Sequence, residues 1–362
     1  MRSQKIKKIM VVSPSFHLGG IERTVSNLSN YFVSQNIEVS FVSLLRGDVF
    51  FELDKRIQVF FPLFQRKGNF LNLVFYRLRL VFFLKSQIKK NKPDFILSMS
   101  DTFNGIVILG ALGLDVKVII GDVTKPDRYF KLSTRLMKQY LYPYSNGFIA
   151  QTESAAEFYR RKFKDKLKIK VIHGAVKEVK TDYYIERENL IIVVGRLSIE
   201  KGQDRMIEIF EKVRNRKGWN LCFTAEGPLK ERLMTEIVER SLSEEIILLG
   251  KVVDLDELYA KASIFAMPSR MEGFPNALCE AMSAGLPCIC FDSFPAHEII
   301  EDGIDGFIVK DGDYDAFANM IENLIESSSL RLETGRNAQS INERLNLQKI
   351  GGEFINYFNG FI

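Results

Sequence analysis

The sequence predicts an α/β protein built from two Rossmann-like, doubly wound domains that face a central cleft. Three observations lead to this fold class. The chain has 362 residues, more than one compact core usually takes. Short apolar runs rich in Val, Ile and Phe alternate with helical patterns, as they do in parallel sheets covered on both faces. A polar segment at 177–189 interrupts the alternation, which then restarts.

The first predicted domain covers residues 1–176. Amphipathic stretches at 21–34 and 154–163 predict crossover helices. Gly19 and Gly20 follow the first strand directly before a helix, which is the layout of the first crossover in a doubly wound sheet. Seven apolar runs are predicted as strands: 6–13, 38–44, 57–61, 94–99, 116–121, 147–151 and 168–172.

The second predicted domain covers residues 190–345, and segment 177–189 is the predicted linker and hinge. Residues 346–362 hold a last helix that can pack back on the first domain. The strands of the second domain are predicted at 190–195, 221–225, 246–249, 264–267, 288–291 and 307–309.

Charge divides the chain into two unlike halves. Residues 1–180 hold 31 Lys+Arg against 14 Asp+Glu, or +17, whereas residues 181–362 hold 19 against 31, or −12. The basic half predicts an anionic partner, either nucleic acid or a membrane surface. No motif of a nucleic-acid-binding protein is visible, so no nucleic-acid partner is expected and an anionic membrane surface is favoured.

Two basic stretches of the first half, 69–92 and 160–170, suit anionic lipid headgroups. In both, Lys and Arg are interleaved with aromatic and aliphatic residues. The alternative is that 71–84 is an ordinary crossover helix buried on the sheet, with its basic end in solvent.

Other features predict a cytoplasmic chain that rests on a membrane at most. No apolar run is long enough for a spanning helix, and the start does not resemble a signal peptide. The four cysteines form neither a disulfide framework nor a metal-binding pair, and three histidines are too few for a multi-histidine metal site.

The most specific motif runs from Glu272 to Glu280, between a strand and a helix that has Pro275 in its first turn. Carboxylates beside a helix start can accept hydrogen bonds from sugar hydroxyls. The alternative is that Glu272 caps the helix and Glu280 is solvated. Arg196 and Lys201 follow the first strand of the second domain, where doubly wound folds bind ligands, and together they could neutralise a diphosphate.

These motifs, in this order, resemble the retaining glycosyltransferases of family four, which have the GT-B fold. The resemblance covers FHLGGIERTVSNLS at 16–29, VVGRLSIEKGQD at 193–204 and the block 268–292, and so nearly the whole chain. The most similar subgroup makes bacterial capsule, exopolysaccharide and O-antigen (lipopolysaccharide) repeats.

The resemblance implies roles for matching positions in donor binding. Glu280 would bind the ribose hydroxyls, and Glu272 the donor sugar. Arg196 and Lys201 would hold the diphosphate and replace a metal ion, so neither a metal nor a cofactor is expected. A leaving phosphate oxygen would take the acceptor's proton. Further contacts are implied for Gly19, Gly20, Gly273, Phe274 and Pro275, and for Lys251 and Val252 at the base.

The sequence departs from the family pattern at the end of the fifth strand, where many members have a histidine. Asp122 lies there instead, and it is predicted either to contact a sugar or acceptor hydroxyl or to cap a turn. His17 and His173 are interpreted as hydrogen-bonding residues rather than catalysts, and His297 as a residue that does not face the donor. Trp219 is interpreted as a packing residue.

The predicted function is therefore transfer of a hexose-type sugar with retention, from a nucleoside-diphosphate sugar, with UDP as the expected nucleotide, to a lipid-linked saccharide at the cytoplasmic face of the inner membrane. Two alternatives stay open. One is a soluble transferase acting on a small or glucan acceptor, although such an acceptor gives no reason for +17. The other is a non-catalytic nucleotide- or nucleic-acid-binding protein.

Overall fold

The computed structural model describes residues 6–15, 20–47, 51–65, 70–126, 128–179, 186–252 and 254–362. The chain divides into two compact units. The first consists of Met1–Ala175 and Leu347–Ile362, and the second of Val176–Asn346.

The first unit is built on a seven-stranded parallel sheet. Its strand order is β3-β2-β1-β4-β5-β6-β7, so the direction of winding reverses between β1 and β4. All seven predicted strands are present, with ends within two residues of the predicted ones. They are β1 (Lys8–Ser13), β2 (Glu38–Ser43), β3 (Gln58–Phe60), β4 (Phe95–Ser98), β5 (Lys117–Asp122), β6 (Gly147–Ala150) and β7 (Ile169–Val171).

Helices cover the sheet because its strands carry apolar side chains on both faces. Met10 and Val12 of β1 share a buried cluster with Leu80 and Leu84 of a long helix. The helices of this part of the chain are α1 (Gly20–Ser34), α2 (Phe70–Asn91), α3 (Asn104–Ala111), α4 (Leu132–Leu141) and α5 (Glu153–Phe163).

The second unit repeats the architecture with a six-stranded parallel sheet in the order β10-β9-β8-β11-β12-β13. Trp219 is buried in its core, as predicted. Its strands are β8 (Leu190–Val193), β9 (Asn220–Thr224), β10 (Ile246–Gly250), β11 (Ile264–Met267), β12 (Cys288–Phe291) and β13 (Phe307–Val309). Its helices are α6 (Gln203–Lys212), α7 (Lys230–Glu239), α8 (Leu255–Lys261), α9 (Asn276–Ser283), α10 (Tyr314–Glu326), α11 (Ser328–Ala338) and α12 (Ile341–Arg344).

The last helix, α13 (Leu347–Asn359), belongs to the first unit. The ring of Phe358 stacks on Phe95 of β4 with 5.0 Å between centroids. Gly351 lies so close to Tyr31 of α1 that a Cβ atom at this position would be 2.3 Å from the ring. The missing side chain of Gly351 therefore lets α13 pack directly against α1.

The described residues of the predicted linker are bound to the second unit rather than forming a free connection. Lys177 makes an ion pair of 2.6 Å with Asp256, and the amide of Val179 donates to Ser283 Oγ at 2.9 Å. Arg187 donates to the carbonyl groups of residues 262 and 284 at 2.5 and 2.8 Å, which follow α8 and α9. The guanidinium thus satisfies carbonyls that a helix end leaves without intrahelical partners.

The four cysteines are free thiols in the interior of the second unit. Burial raises the pKa of Cys222 to about 11, and the nearby carboxylate of Glu188 adds to the effect. A protonated, buried thiol is unreactive, so these residues act as packing groups.

Candidate functional site

The site predicted in the second unit forms where two loops follow neighbouring strands. β8 and β11 are paired in parallel, with Ile191 opposite Ile264, and the winding direction of the sheet reverses between them. Open α/β sheets bind ligands at such a switch point, beside the carboxyl ends of the strands. Loop 194–202 follows β8 and loop 268–275 follows β11.

Two glycines shape the loop after β8. Gly195 has φ of 150°, a conformation that side chains disfavour, and the stem of Lys201 passes over it. Gly202 has φ of 72°, and a Cβ atom there would lie 2.1 Å from the carbonyl oxygen of Pro268. The side-chain amide of Gln203 donates to the carbonyls of Gly195 and Arg196, both at 3.1 Å. These contacts fix the backbone from which Arg196 and Lys201 extend.

Lys201 and Glu272 form the centre of the site. Lys201 Nζ lies 2.7 Å from Oε1 and 3.0 Å from Oε2 of Glu272, and Ser269 Oγ donates to Oε1 at 2.7 Å. The side chain of Glu272 is 7% exposed and that of Lys201 is 29% exposed. The carboxylate of Glu272 is therefore fixed by Ser269 and Lys201, whereas the ammonium group of Lys201 remains partly exposed to solvent.

A second ion pair locks the two loops together beside this centre. Arg270 donates to both carboxylate oxygens of Asp204 at 2.7 Å, and its backbone amide donates to the carbonyl of Glu200 at 2.8 Å. Burial alone would raise the pKa of Asp204, but the hydrogen bonds and the charge of Arg270 lower it. The bidentate geometry makes this pair a rigid support for the site.

Arg196 is exposed and has no carboxylate partner within ion-pairing distance among the described residues. Lys201 is already balanced by Glu272, so the guanidinium of Arg196 gives the two loops an excess positive charge. Two cations on a rigid edge, one of them uncompensated, can hold an anion such as a diphosphate.

Glu280 lies on α9 and is 5% exposed, so the alternative of a solvated Glu280 is wrong. The hydroxyl of Tyr259 donates to its Oε2 atom at 3.2 Å. The alternative of Glu272 as a helix cap is also wrong, because α9 follows Pro275 with no side-chain cap and Glu272 is bonded to Lys201 and Ser269. Both glutamates of the motif are buried carboxylates.

The remaining predicted residues of the second unit lie at two places. In the loop between Glu272 and α9, Gly273 is half-buried, while Phe274 and Pro275 are buried. Lys251 is exposed and Val252 half-buried directly after β10, the edge strand. Their assigned contacts stay predictions.

Predicted residues of the first unit have different settings. Gly20 is the exposed first residue of α1, whereas Gly19 and His17 lie outside the described residues. His173 Nδ1 lies 2.8 Å from the carbonyl oxygen of Gln151, in keeping with a hydrogen-bonding role. In the second unit, His297 is exposed in a short 3-10 turn.

Asp122 differs from both sequence interpretations, since it is neither an open ligand group nor a turn cap. Its side chain is 1% exposed, and Lys138 Nζ lies 2.7 Å from Oδ2. Tyr142 and Asn104 donate to Oδ1 at 2.7 and 3.0 Å, and Tyr159 donates to Oδ2. The carboxylate is thus already saturated by interior donors, which leaves no accessible lone pair for a sugar hydroxyl.

Asp101 and Lys138 complete this interior cluster, and no sequence motif indicates either of them. Asp101 follows β4, and its Oδ1 atom lies 3.0 Å from Lys138 Nζ. Burial, together with the charge of Asp122, raises the pKa of Asp101 to about 7. Burial alone would lower the pKa of Lys138, but the two carboxylates raise it. One ammonium group therefore serves two buried carboxyl groups.

Two family models match the chain in succession. The model described as Glycosyltransferase Family 4 matches residues 18–178, and the one described as Glycosyl transferases group 1 matches residues 177–341. One relative is a Campylobacter jejuni α-1,4-N-acetyl-D-galactosaminyltransferase whose name specifies a PP-undecaprenol-linked saccharide, 26% identical and covering 92% of both chains. Another is the amylovoran biosynthesis glycosyltransferase AmsD of Erwinia amylovora, 26% identical over 90% of this chain and 92% of its own.

Solved structures share the fold over nearly the whole length. Anabaena HepE in complex with UDP matches with a TM-score of 0.80 at 17% identity, covering 98% of this chain and 100% of its own. A glycosyltransferase from Rickettsia africae matches with a TM-score of 0.82 at 18% identity, covering 99% and 98%. These likenesses confirm the fold class that the sequence predicts.

Proposed function

The chain belongs to the family-four glycosyltransferases, and we propose that it transfers a sugar, with retention, from a UDP-sugar to a lipid-linked saccharide in bacterial surface-polysaccharide synthesis. The observation that carries the proposal is the paired switch-point loops, which place Lys201 against Glu272 and leave Arg196 open.

The two cations are proposed to hold the donor diphosphate. The exposed face of Lys201 can accept a second anionic partner without leaving Glu272, and Arg196 can bind two phosphate oxygens at once. Negative charge on the diphosphate grows as the bond to the sugar breaks. Because cations fixed in advance stabilise that charge most, a metal ion is not needed in this proposal.

The two buried glutamates are proposed to bind hydroxyl groups of the nucleotide-sugar donor. Glu280 accepts a hydrogen bond from Tyr259 at one oxygen, and its carboxylate is assigned to the ribose hydroxyls, for which a carboxylate is a suitable acceptor. Glu272 gives part of its capacity to Lys201 and Ser269 and is assigned to a donor-sugar hydroxyl. Calorimetry with UDP should therefore show weaker binding for Glu280→Gln and nearly unchanged binding for Glu272→Gln.

The state of the carboxylates supports a leaving phosphate oxygen as the proton acceptor. The carboxylate of Asp122 is buried and bound by four donors, and that of Glu272 is paired with Lys201. Neither is free to deprotonate an acceptor hydroxyl. An attack from the face that the diphosphate leaves, with the proton passing to the departing oxygen, gives retention without a side-chain base.

The acceptor is proposed to be an undecaprenyl-diphosphate-linked saccharide, as in the name of the Campylobacter relative, taken at an anionic membrane surface. No helix in the described ranges is both long and apolar enough to cross a bilayer. The surface contact is assigned to α2, because this helix has a second, exposed apolar face in addition to the face that a crossover helix buries on the sheet.

Helix α2 presents two apolar faces. One is buried and carries Tyr76, Leu80, Leu84 and Ile88 at four-residue intervals. The opposite face exposes four large apolar side chains and continues into Lys85 and Lys89, which lie at the same angle around the helix axis. The exposed residues are Val74 (44%), Phe75 (64%), Leu78 (48%) and Phe82 (68%). Apolar groups followed by lysines suit the boundary between acyl chains and anionic headgroups.

The transferase proposal is tested by UDP release from a panel of UDP-sugars, with and without an undecaprenyl-diphosphate-linked saccharide extract. We expect release that depends on the lipid-linked acceptor. Equal release with small sugars or glucans would favour the soluble alternative. The absence of turnover and of UDP or GDP binding would contradict the donor assignment.

The membrane proposal is tested by co-sedimentation with neutral and anionic vesicles at low and high salt. Changing Lys85, Lys89 and Lys90 to Glu should abolish the preference for anionic vesicles, which should also weaken as salt rises. Phe75→Ser with Phe82→Ser should weaken binding at any salt concentration. Leu332→Ser, a 66% exposed leucine of α11, is the matched control and should bind as the unaltered protein does. Equal binding to neutral and anionic vesicles would rule out an electrostatic contribution to membrane binding.

A further inference from the structure

A pocket that none of the assignments above uses lies entirely within the first unit. It is formed by the connection from β5 to α4, by α4 and by α5, and has a volume of about 400 Å³. Its lining combines cations with aromatic and aliphatic side chains.

Three of the four cations of the lining have no carboxylate partner among the described residues. Arg128, Arg135 and Lys162 have no carboxylate within 4 Å in the part of the chain that is described. The two glutamates of α5 do not serve them, because Glu153 and Glu157 are paired with the neighbouring arginines 160 and 161.

The lysines of the pocket show the resulting positive potential. Lys138 at the floor is paired with Asp101 and Asp122. Lys162 has no such partner among the described residues: burial lowers its pKa, and the positive charges of Lys138 and Arg135 lower it further, against an opposing contribution from Asp122. Cations that repel each other across a pocket stabilise a bound anion, since the anion removes that repulsion.

The rim of the same pocket is apolar. Tyr129 is 85% exposed, Leu132 67% and Leu136 46%, and Phe158 faces them from α5. Leu132, Arg135 and Leu136 share one side of α4 because residues three and four apart are neighbours on a helix. A ligand in this pocket would therefore meet cations and exposed hydrocarbon at once. A free inorganic anion would leave the apolar rim unused, and a neutral lipid would leave the cations unused.

We infer that this pocket binds the diphosphate of a prenyl-diphosphate lipid on Arg128, Arg135 and Lys162, with the first part of the hydrocarbon chain against Tyr129, Leu132 and Leu136. The inference rests on the proposed function, since it places the lipid end of the proposed acceptor. A phospholipid offers the same chemistry of phosphate beside hydrocarbon, so the experiment has to distinguish the two sources.

The test is calorimetry on the full-length protein with farnesyl diphosphate, a short prenyl diphosphate below its micelle concentration. We expect binding that Arg135→Ser combined with Lys162→Gln weakens at least tenfold, since each removes a charge-assisted contact. Arg161→Gln, one residue away but paired with Glu157, is the matched control and should bind like the unaltered protein. Leu132→Ser with Leu136→Ser should weaken binding of farnesyl diphosphate but not of inorganic pyrophosphate. Unchanged circular dichroism melting curves exclude misfolding.

Three further ligands distinguish a prenyl diphosphate from a phospholipid as the source of the bound phosphate and hydrocarbon. Farnesol should bind at least tenfold more weakly than farnesyl diphosphate, and so should inorganic pyrophosphate. Short-chain phosphatidylglycerol binding as tightly as farnesyl diphosphate would overturn the assignment to the acceptor, as would unchanged affinity in the Arg135 and Lys162 variant. UDP binding is measured on the same samples. If UDP binds and farnesyl diphosphate does not, this inference fails while the donor assignment stands; if UDP also fails to bind, the proposed function fails with it.

Discussion

Each unit sets a lysine against buried carboxylates at the carboxyl ends of its parallel strands, but the two arrangements differ in access to solvent. In the first unit Lys138 is 5% exposed and lies between Asp101 and Asp122. In the second unit Lys201 is 29% exposed, and Glu272 is its one carboxylate partner among the described residues. The first cluster is closed and carries one carboxyl group more than its cation can neutralise. The second is open and lies beside the uncompensated Arg196.

The difference shows that position at a strand end does not by itself make a residue a ligand group. Asp122 ends β5, where the sequence predicts either a ligand contact or a turn cap, yet its lone pairs are taken by interior donors. Lys201 keeps a free face because only one carboxylate holds it. Burial and remaining hydrogen-bonding capacity therefore distinguish a structural charge cluster from a binding site.

Removing the lysine of the closed cluster should have the largest effect. Lys138→Met leaves two buried carboxyl groups without their cation, and breaking a buried pair in this way typically costs about 3–5 kcal/mol. Urea denaturation at pH 7 should show that loss in the free energy of unfolding. Lys201→Met should lose less than Lys138→Met, because it leaves one buried carboxylate without its cation rather than two and because the ammonium group of Lys201 is partly in solvent. Equal losses for both variants would show that the two clusters are not different in kind. Lys131→Met, on the exposed start of α4, is the control.

The strands could be predicted from the sequence because buried parallel strands are continuous apolar runs. The runs at 264–267, 288–291 and 307–309 coincide with β11, β12 and β13. The site motif was also visible, since Glu272 and Lys201 lie next to strands and glycines with a recognisable order.

Partners across the fold could not be predicted. Lys138 lies within an ordinary amphipathic helix pattern, 37 residues from Asp101, so no local spacing indicates their pairing. The bond between Lys201 and Glu272 likewise joins residues 71 positions apart. For the same reason neither prediction for Asp122, a ligand contact or a turn cap, is correct: the sequence places it at a strand end but contains no local sign of the four donors that the fold brings to it.

The open cluster should respond in turnover rather than in stability. Arg196→Ala or Lys201→Ala removes one fixed cation from the leaving diphosphate, and the loss of one such contact typically lowers the rate on the order of 10²–10³-fold. Steady-state UDP release should show this decrease in kcat/KM while the melting temperature stays nearly constant. Lys212→Ala, an exposed lysine of the same unit paired with Asp315, should leave kcat/KM unchanged. Near-normal turnover in both site variants would remove the diphosphate assignment.

The smallest effect concerns the extra carboxyl group of the closed cluster and appears as a pH dependence. Burial and Asp122 raise the pKa of Asp101 to about 7 in the folded protein, whereas an aspartate in an unfolded chain has a pKa of about 3.9. Between these values the folded protein keeps a proton that the unfolded chain has lost. The contribution of Asp101 to stability therefore falls as the pH rises from about 4 to about 7 and changes little above that.

Asp101→Asn removes the titrating group while keeping its shape, so it isolates this contribution. Between pH 5 and pH 8 the unaltered protein should lose about 2–3 kcal/mol of unfolding free energy relative to the variant. Urea denaturation of both proteins at pH 5, 6.5 and 8 measures the difference, in which the titrations common to both cancel. Asp115→Asn, at an exposed carboxyl group of the same unit, is the control, and its unfolding free energy should change with pH as that of the unaltered protein does. If the unfolding free energy of Asp101→Asn also changes with pH as that of the unaltered protein does, the closed cluster holds both carboxylates ionised. Asp101, Asp122 and Lys138 would then carry one net negative charge in the interior of the first unit.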